Sequence, residues 1–110
     1  MSELEELKRI GAKPQPNSGR GKHNKGDGIL DDHWIVDVKE SAKSFTLSTS
    51  VWGKVCTDAA QSNKEPLLLA VFGEEGKPRT RLIIMSDDEF EELRWKAAAY
   101  DKQEWEHNEE

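Results

Sequence analysis

Residues 27–39 read DGILDDHWIVDVK, and this stretch decides the fold of the chain. Two short apolar runs flank the turn-forming residues Asp31-Asp32-His33, and the second run is rich in bulky and β-branched side chains. The pattern predicts a β-hairpin. Alternation along its second strand places Ile35, Asp37 and Lys39 on one face of the sheet.

Hydrophobic patterns on either side of the hairpin predict the remaining elements. Together they indicate an α/β fold in which a mixed β-sheet is flanked by helices. The expected elements are a helix over 2–10 stopped by Gly11, an extended piece at 13–15, a helix capped by Ser48 or Ser50, a strand buried on both faces at 66–72, a strand at 81–85, and a helix opened by a capping box of Ser86 and Glu89.

The chain has 110 residues, 35% of them hydrophobic, which predicts a single domain. We expect this domain to span residues 1–100, with a basic loop over 12–28, and residues 101–110 to form a loose acidic tail. No apolar run approaches the roughly 20 residues of a membrane span, and the first residues are acidic where a signal peptide is basic. With a lone cysteine, these features predict a cytoplasmic protein with no membrane partner.

The net charge of −6 argues against nucleic acid, but the charge is segregated along the chain. Residues 8–26 contain six cations and no carboxylate, and a local basic stripe can hold a phosphate backbone because screening makes such contacts local. We expect Arg20, Lys22 and Lys25 to bind DNA. A solvated, flexible basic loop is the simpler alternative.

Two aspartates are placed to share a metal ion. Asp27 precedes the first strand of the hairpin and Asp37 lies on the second, so folding of the hairpin brings their carboxylates together. Oxygen ligands without a His or Cys cluster select Mg²⁺, or Mn²⁺ in its place, over Zn²⁺. The expected ligands are Asp27, Asp37, the backbone carbonyl of Val38 and water.

Lys39 shares the strand face of Asp37, which places its ammonium near the metal and a scissile phosphate. There it would stabilise developing negative charge and help to orient or deprotonate the attacking water, while the metal lowers the pKa of that water. An Asp-x-Lys sequence is also common on exposed polar strands. Lys54, on the following helix, is a further candidate for phosphate contact, with a solvated lysine as its alternative.

These residues resemble a known family. Gly26-Asp27, the strand ending Asp37-Val38-Lys39 and the earlier helix with glutamates are similar to the PD-(D/E)XK nuclease superfamily, with glycine in place of the proline of the motif before Asp27. The more specific similarity, over about residues 3–93, is to archaeal-type Holliday junction resolvases found in phages. Its matching segments are Gln15 to Gly21, Lys25-Gly26-Asp27, Lys39-Glu40, Phe45-x-Leu-Ser48 and Trp52-x-Lys54.

The resemblance implies a restriction-endonuclease-like core and a homodimer that cuts four-way DNA junctions by paired symmetric nicks, in a phage-encoded enzyme acting inside the host cell. It also implies a catalytic serine at Ser18 and a helix glutamate at Glu3 or Glu6. We prefer Glu3, which shares a face with Leu7 and should point inward. An acidic first turn favoured by the helix dipole explains both glutamates equally well.

The leading hypothesis is therefore a Mg²⁺-dependent, structure-selective endonuclease. One alternative is a non-catalytic DNA-binding module, in which the carboxylates merely lie on a polar strand face. Another is a nicking or restriction-type nuclease with the same metal centre, since junction selectivity depends on the spacing of two sites across a dimer. An extra metal ligand from Glu3, Glu6 or Glu40 is also left open.

Overall fold

The computed structural model of the chain describes residues 3–15 and 26–108, with side chains as far as Lys102. Within these ranges it has a five-stranded mixed sheet and three helices, so the expected α/β class is confirmed. The strands lie side by side in chain order. The elements are α1 (Glu3–Ile10), β1 (Lys13–Pro14), β2 (Gly28–Leu30), β3 (Trp34–Ser41), α2 (Thr49–Gln61), β4 (Glu65–Phe72), β5 (Thr80–Ile84) and α3 (Asp87–Asn108).

The predicted hairpin forms between β2 and β3, which pair antiparallel with Leu30 opposite Trp34. Its turn has two consecutive left-handed residues, Asp31 at φ 54° and Asp32 at φ 52°, and the N–H of His33 donates to the carbonyl of Leu30 at 3.0 Å. Turns with positive φ at both central residues match the twist of paired strands. The tight turn fixes the register that brings the residues before β2 beside β3.

The centre of the sheet is the parallel pair β3 and β4, connected by α2. Its two faces are both covered, as the apolar run at 66–72 predicted. On one face, α1 contributes Leu7 to a cluster with Val36, Val38, Leu67, Leu69 and Val71. The opposite face carries Ile35, Leu68 and Ala70 beneath α2, whose Val55 and Ala59 are also buried.

Helix α2 begins at one of its two predicted caps. The Ser48 hydroxyl accepts a hydrogen bond from the N–H of Val51 at 3.2 Å, which satisfies one of the free donors of the first turn. The buried face of the helix includes Val55 and Ala59, as expected, but also Asp58, which is only 7% exposed. A carboxylate on the core-facing side is not explained by helix formation.

Helix α1 is held to the far edge of the sheet by an ion pair. The carboxylate of Glu6, 1% exposed, accepts hydrogen bonds from Arg81 on β5 at 2.7 and 3.1 Å. This bidentate geometry is the strong form of an Arg–carboxylate contact. The hydrogen bond from Arg81 lowers the pKa of Glu6, because it stabilises the ionised form more than burial penalises it.

The start of α3 differs in part from the predicted capping box. The Ser86 hydroxyl accepts from the N–H of Glu89 at 3.2 Å, as expected. The Glu89 carboxylate does not complete the box but lies 2.6 Å from Nε2 of His33, which ties the β2–β3 turn to α3. His33 is therefore half-buried and paired.

Helix α3 continues to Asn108, so much of the segment expected to be a loose tail is helical. Lysine, glutamine and glutamate, which recur beyond Tyr100, have high intrinsic helix propensity. The division into a domain at 1–100 and a tail at 101–110 stays a prediction. In the described ranges, none of the helices has both the length and the apolar character needed to cross a bilayer.

We expect Glu6→Gln to destabilise the protein at neutral pH by about 1 kcal/mol, since Arg81 is partly exposed and water screens the pair. Because folding lowers the pKa of Glu6, its contribution is present above the ordinary value of 4.5 and is lost as pH falls through the folded value. Urea unfolding from pH 7 to 3 should show the gap between wild type and variant closing below about pH 4.5.

Glu74→Gln is the matched control, because its pair with Lys77 is exposed. It should change stability by less than about 0.5 kcal/mol at every pH. An equal loss in both variants, or a Glu6→Gln gap that stays constant in acid, would contradict the role assigned to the Glu6–Arg81 pair.

Candidate functional site

Asp27 is fixed beside β3 by its backbone and its side chain. Its N–H donates to the carbonyl of Val36 at 2.9 Å, and its carbonyl accepts from the N–H of Gln15 at 3.0 Å. Its Oδ2 accepts from the N–H of Val38 at 2.7 Å. Because the N–H and C=O of a strand residue face the same edge, the Val38 carbonyl also lies on the Asp27 side of β3.

Asp37 is a buried carboxylate in the central strand of the sheet. It is 5% exposed in the central strand, and its Oδ2 has no hydrogen-bond partner among the described residues. Burial raises the pKa of Asp37, and the charges of Asp27 and Asp58 raise it further, against the opposing effect of Lys54 and Lys39. An unpartnered buried carboxylate is costly unless a cation compensates it.

Glu3 joins the two aspartates from the first turn of α1. Its carboxyl group lies beside that of Asp27, and its pKa is raised by burial, then by the Asp27 carboxyl group, and further by the charges of Asp37 and Glu40. The side chain is exposed rather than directed inward. The buried glutamate of the helix is Glu6, and its carboxylate is paired with Arg81.

A cleft of about 200 Å³ opens next to Asp37, between β3 and α2. Lys39, exposed at its rim, shares the cleft with Asp37, as the strand alternation predicted. Lys54 lines it from α2 and donates to Oδ2 of Asp58 at 2.8 Å, which raises the pKa of Lys54. The remaining lining residues are Ser50, Val51 and Val55.

The sequence did not identify Asp58 or Ser50 as residues of the candidate site. The four-residue spacing from Lys54 to Asp58 signals a helical ion pair, and Asp58 interrupts an otherwise apolar helix face. Which way that face turns depends on the packing of α2 against β3 and β4. Spacing alone therefore does not place the pair at the cleft.

The backbone at position 26, immediately before Asp27, requires glycine. Its φ of 79° is left-handed, whereas proline is restricted to a φ near −65°. A Cβ atom at this position would overlap the side chain of Ile35 and would lie 3.8 Å from Oδ1 of Asp37. The close approach of the backbone to β3 therefore requires glycine.

Four of the expected site residues lie outside the residues that the structure describes. They are the proposed catalytic Ser18 and the proposed DNA contacts Arg20, Lys22 and Lys25. The structure brings together Glu3, Asp27, Asp37, Lys39 and Lys54, together with the edge of β3 that bears the Val38 carbonyl.

The fit of a metal ion can be tested on the carboxylates themselves. Within residues 3–15 and 26–108, no three His, Cys, Asp or Glu side chains are arranged as a ready-made metal cage. Mg²⁺ does not need one, because it is commonly held by one or two carboxylates together with water and substrate phosphate. The buried Oδ2 of Asp37, which no described residue hydrogen-bonds, fits such a site together with the nearby charge of Asp27.

Comparison with known proteins adds no relative to this picture. No protein-family model matches the chain, and neither the curated proteins nor the solved structures give a significant match.

We expect Gly26→Ala to cost about 2–4 kcal/mol, of which about 1 arises from the left-handed backbone and the rest from overlap with Ile35. Gly76→Ala is the matched control, because Gly76 has a φ of 80° with nothing within 4 Å of its added Cβ. It should lose only about 1 kcal/mol. Equal losses in urea unfolding would refute the close approach of Gly26 to β3.

Asp37→Asn should stabilise the metal-free protein by about 1 kcal/mol at pH 7, since it removes a buried charge. Folding raises the pKa of Asp37, so the penalty is absent below its ordinary value of 3.8, grows as pH rises from 3.8 to the folded pKa, and stays constant above it. The gain should therefore vanish in acid.

In the presence of Mg²⁺, wild type should become more stable than Asp37→Asn. At a hundred times its dissociation constant, Mg²⁺ should stabilise wild type by about 2.7 kcal/mol and leave Asp37→Asn unchanged in thermal unfolding. The exposed Asp88→Asn variant is the control and should respond like wild type. Equal stabilisation of Asp37→Asn by Mg²⁺ would exclude Asp37 as a ligand.

Proposed function

We propose that the chain is a Mg²⁺-dependent DNA endonuclease with a PD-(D/E)XK, restriction-endonuclease-like core, which resolves four-way junctions by paired nicks. The observation that carries the proposal is the buried Oδ2 of Asp37, which has no hydrogen-bond partner within residues 3–15 and 26–108 and lies at a cleft that also contains two lysines. A carboxylate held without a partner is suited to a cation, and lysines beside it are suited to a phosphate.

In this proposal Asp27, Asp37 and the backbone carbonyl of Val38 would hold the ion together with water. Bound Mg²⁺ supplies a Lewis acid that lowers the pKa of water and offsets phosphate charge. The N–H of Val38 holds the Asp27 carboxylate in position through its bond to Oδ2. Glu3 offers a further carboxylate next to Asp27, where it orients water or accepts a proton.

Lys39 provides positive charge at the rim of the cleft, where negative charge develops on the phosphate during attack. It also helps to orient the attacking water. Lys54 provides a second cation on the opposite wall of the cleft. Outside the described residues, Ser18 is proposed as catalytic, and Arg20, Lys22 and Lys25 are proposed to hold the DNA backbone.

The proposed partner is branched DNA, and the proposed assembly is a homodimer, because paired nicks need two active sites. A mostly apolar groove of about 460 Å³ between β5 and α3 supports an assembly surface. Its lining residues are Ile83, Met85, Phe90, Leu93, Arg94 and Ala97. Trp95, on the same helix, is 76% exposed. The proposed setting is cytoplasmic, in the host cell of a phage.

The test is incubation of the purified chain with labelled four-way junction, linear duplex and single-stranded DNA in Mg²⁺, with a mass measurement of the oligomer. We expect symmetric paired nicks in the junction by a dimer. Asp37→Asn should reduce cleavage by about a thousandfold, as expected for loss of several kcal/mol of Lewis-acid stabilisation, and should retain junction binding. Asp88→Asn is the matched control and should cleave normally.

Each other outcome favours a different class of protein. Junction binding without Mg²⁺-dependent cleavage by wild type would favour a non-catalytic DNA-binding module. Cleavage of linear duplex DNA, or the appearance of unpaired single nicks, would favour a nicking or restriction-type nuclease with the same metal centre. Unchanged cleavage by Asp37→Asn would refute the proposed site.

A further inference from the structure

We propose that Asp58 is a positioning residue, which holds Lys54 at the Asp37 cleft so that the Lys54 ammonium contacts a phosphate of bound DNA. The inference rests on the proposed function, since it concerns the same cleft. It assigns a role to a buried carboxylate that neither metal binding nor the described mechanism uses.

The geometry places Lys54 on the cleft wall and pairs it with Asp58 on the same helix. Nζ of Lys54 donates to Oδ2 of Asp58 at 2.8 Å, and the Lys54 side chain is 64% exposed while that of Asp58 is 10% exposed. Asp58 is thus a nearly buried anchor, and Lys54 reaches from it toward solvent along the cleft that Asp37 lines. Among the charges that act on Asp37, that of Lys54 has the largest effect, ahead of that of Lys39.

The pair is poorly explained as a stabiliser of α2. A helical ion pair contributes only about 0.3–0.5 kcal/mol, and the order here, with the cation four residues before the anion, is the weaker of the two. Asp58 is 7% exposed between Val55 and Ala59, where an apolar side chain would avoid the cost of burying a charge. Asp58 therefore costs stability at a core-facing position close to the cleft. Such a cost is typical of residues retained for function.

Positioning and simple electrostatics predict opposite results. Asp58→Asn removes a negative charge from a cleft that receives a polyanion, so electrostatics alone predicts tighter DNA binding. If Asp58 holds Lys54 in place, the same change releases the lysine and weakens binding. The sign of the effect therefore separates the two explanations.

The experiment measures binding of an intact four-way junction by the full chain in EDTA, across a salt series. Lys54→Gln should weaken binding about tenfold and reduce the slope of log K against log salt by about 1, as expected for one lost phosphate contact. Asp58→Asn should weaken binding about threefold to tenfold, and Asp58→Glu should recover part of the loss.

Two further measurements exclude a merely structural role. Adding Asp58→Asn to Lys54→Gln should cause no additional loss, because Asp58 acts through Lys54. Urea unfolding should show Asp58→Asn to be at least as stable as wild type. Glu92→Gln is the matched control, since it breaks another helical pair with the same four-residue spacing, on α3, and should leave the affinity unchanged within about twofold.

The inference is overturned if Asp58→Asn binds as tightly as wild type or more tightly, or if Lys54→Gln leaves the affinity and the salt slope unchanged. Lys54→Gln gives a reading even if Asp58→Asn does not fold, because the Lys54 side chain is mostly exposed. If the wild type binds and cleaves junctions, either of these results rejects this inference and leaves the proposed function standing. A wild type that neither binds nor cleaves DNA rejects the proposed function as well.

Discussion

The parallel pairing of β3 with β4 is the constraint on which the rest of the molecule depends. It places Asp37 opposite Leu68 in the middle of a sheet that α1 and α2 cover from both sides. Water therefore cannot solvate the Asp37 carboxylate freely, and burial raises its pKa. The same packing that makes the core apolar makes this carboxylate chemically distinct from the exposed acidic residues around it.

Most of the local structure could be predicted because it follows from short-range patterns. The run from Trp34 to Val38, the turn at Asp31-Asp32 and the cap at Ser48 each carry a local physical signal, and each is confirmed. The proximity of Asp27 to β3 then follows from hairpin register, since Gly28 pairs with Val36. This part of the candidate site was therefore accessible from the sequence.

The polar contacts that connect distant elements could not be predicted in the same way. Glu6 and Arg81 are 75 positions apart, and His33 and Glu89 are 56 apart, so no periodicity relates them. Their pairing depends on how α1 and α3 lie against the finished sheet. The wrong expectation that Glu89 would complete a capping box has the same origin, because the part-buried contact with His33 competes with the local one.

The pairing of β1 with β2 has a consequence for how such a scaffold diversifies. Pro14 lies opposite Gly28, and Gln15 bonds to Asp27, so the chain leaves and re-enters the sheet at adjacent points. Because the entropy of closing a chain between two fixed points grows only slowly with its length, adjacent anchors favour tolerance of length changes between them. The hydrogen bonds of Asp27 with Gln15, Val36 and Val38 hold it beside β3 from outside that interval.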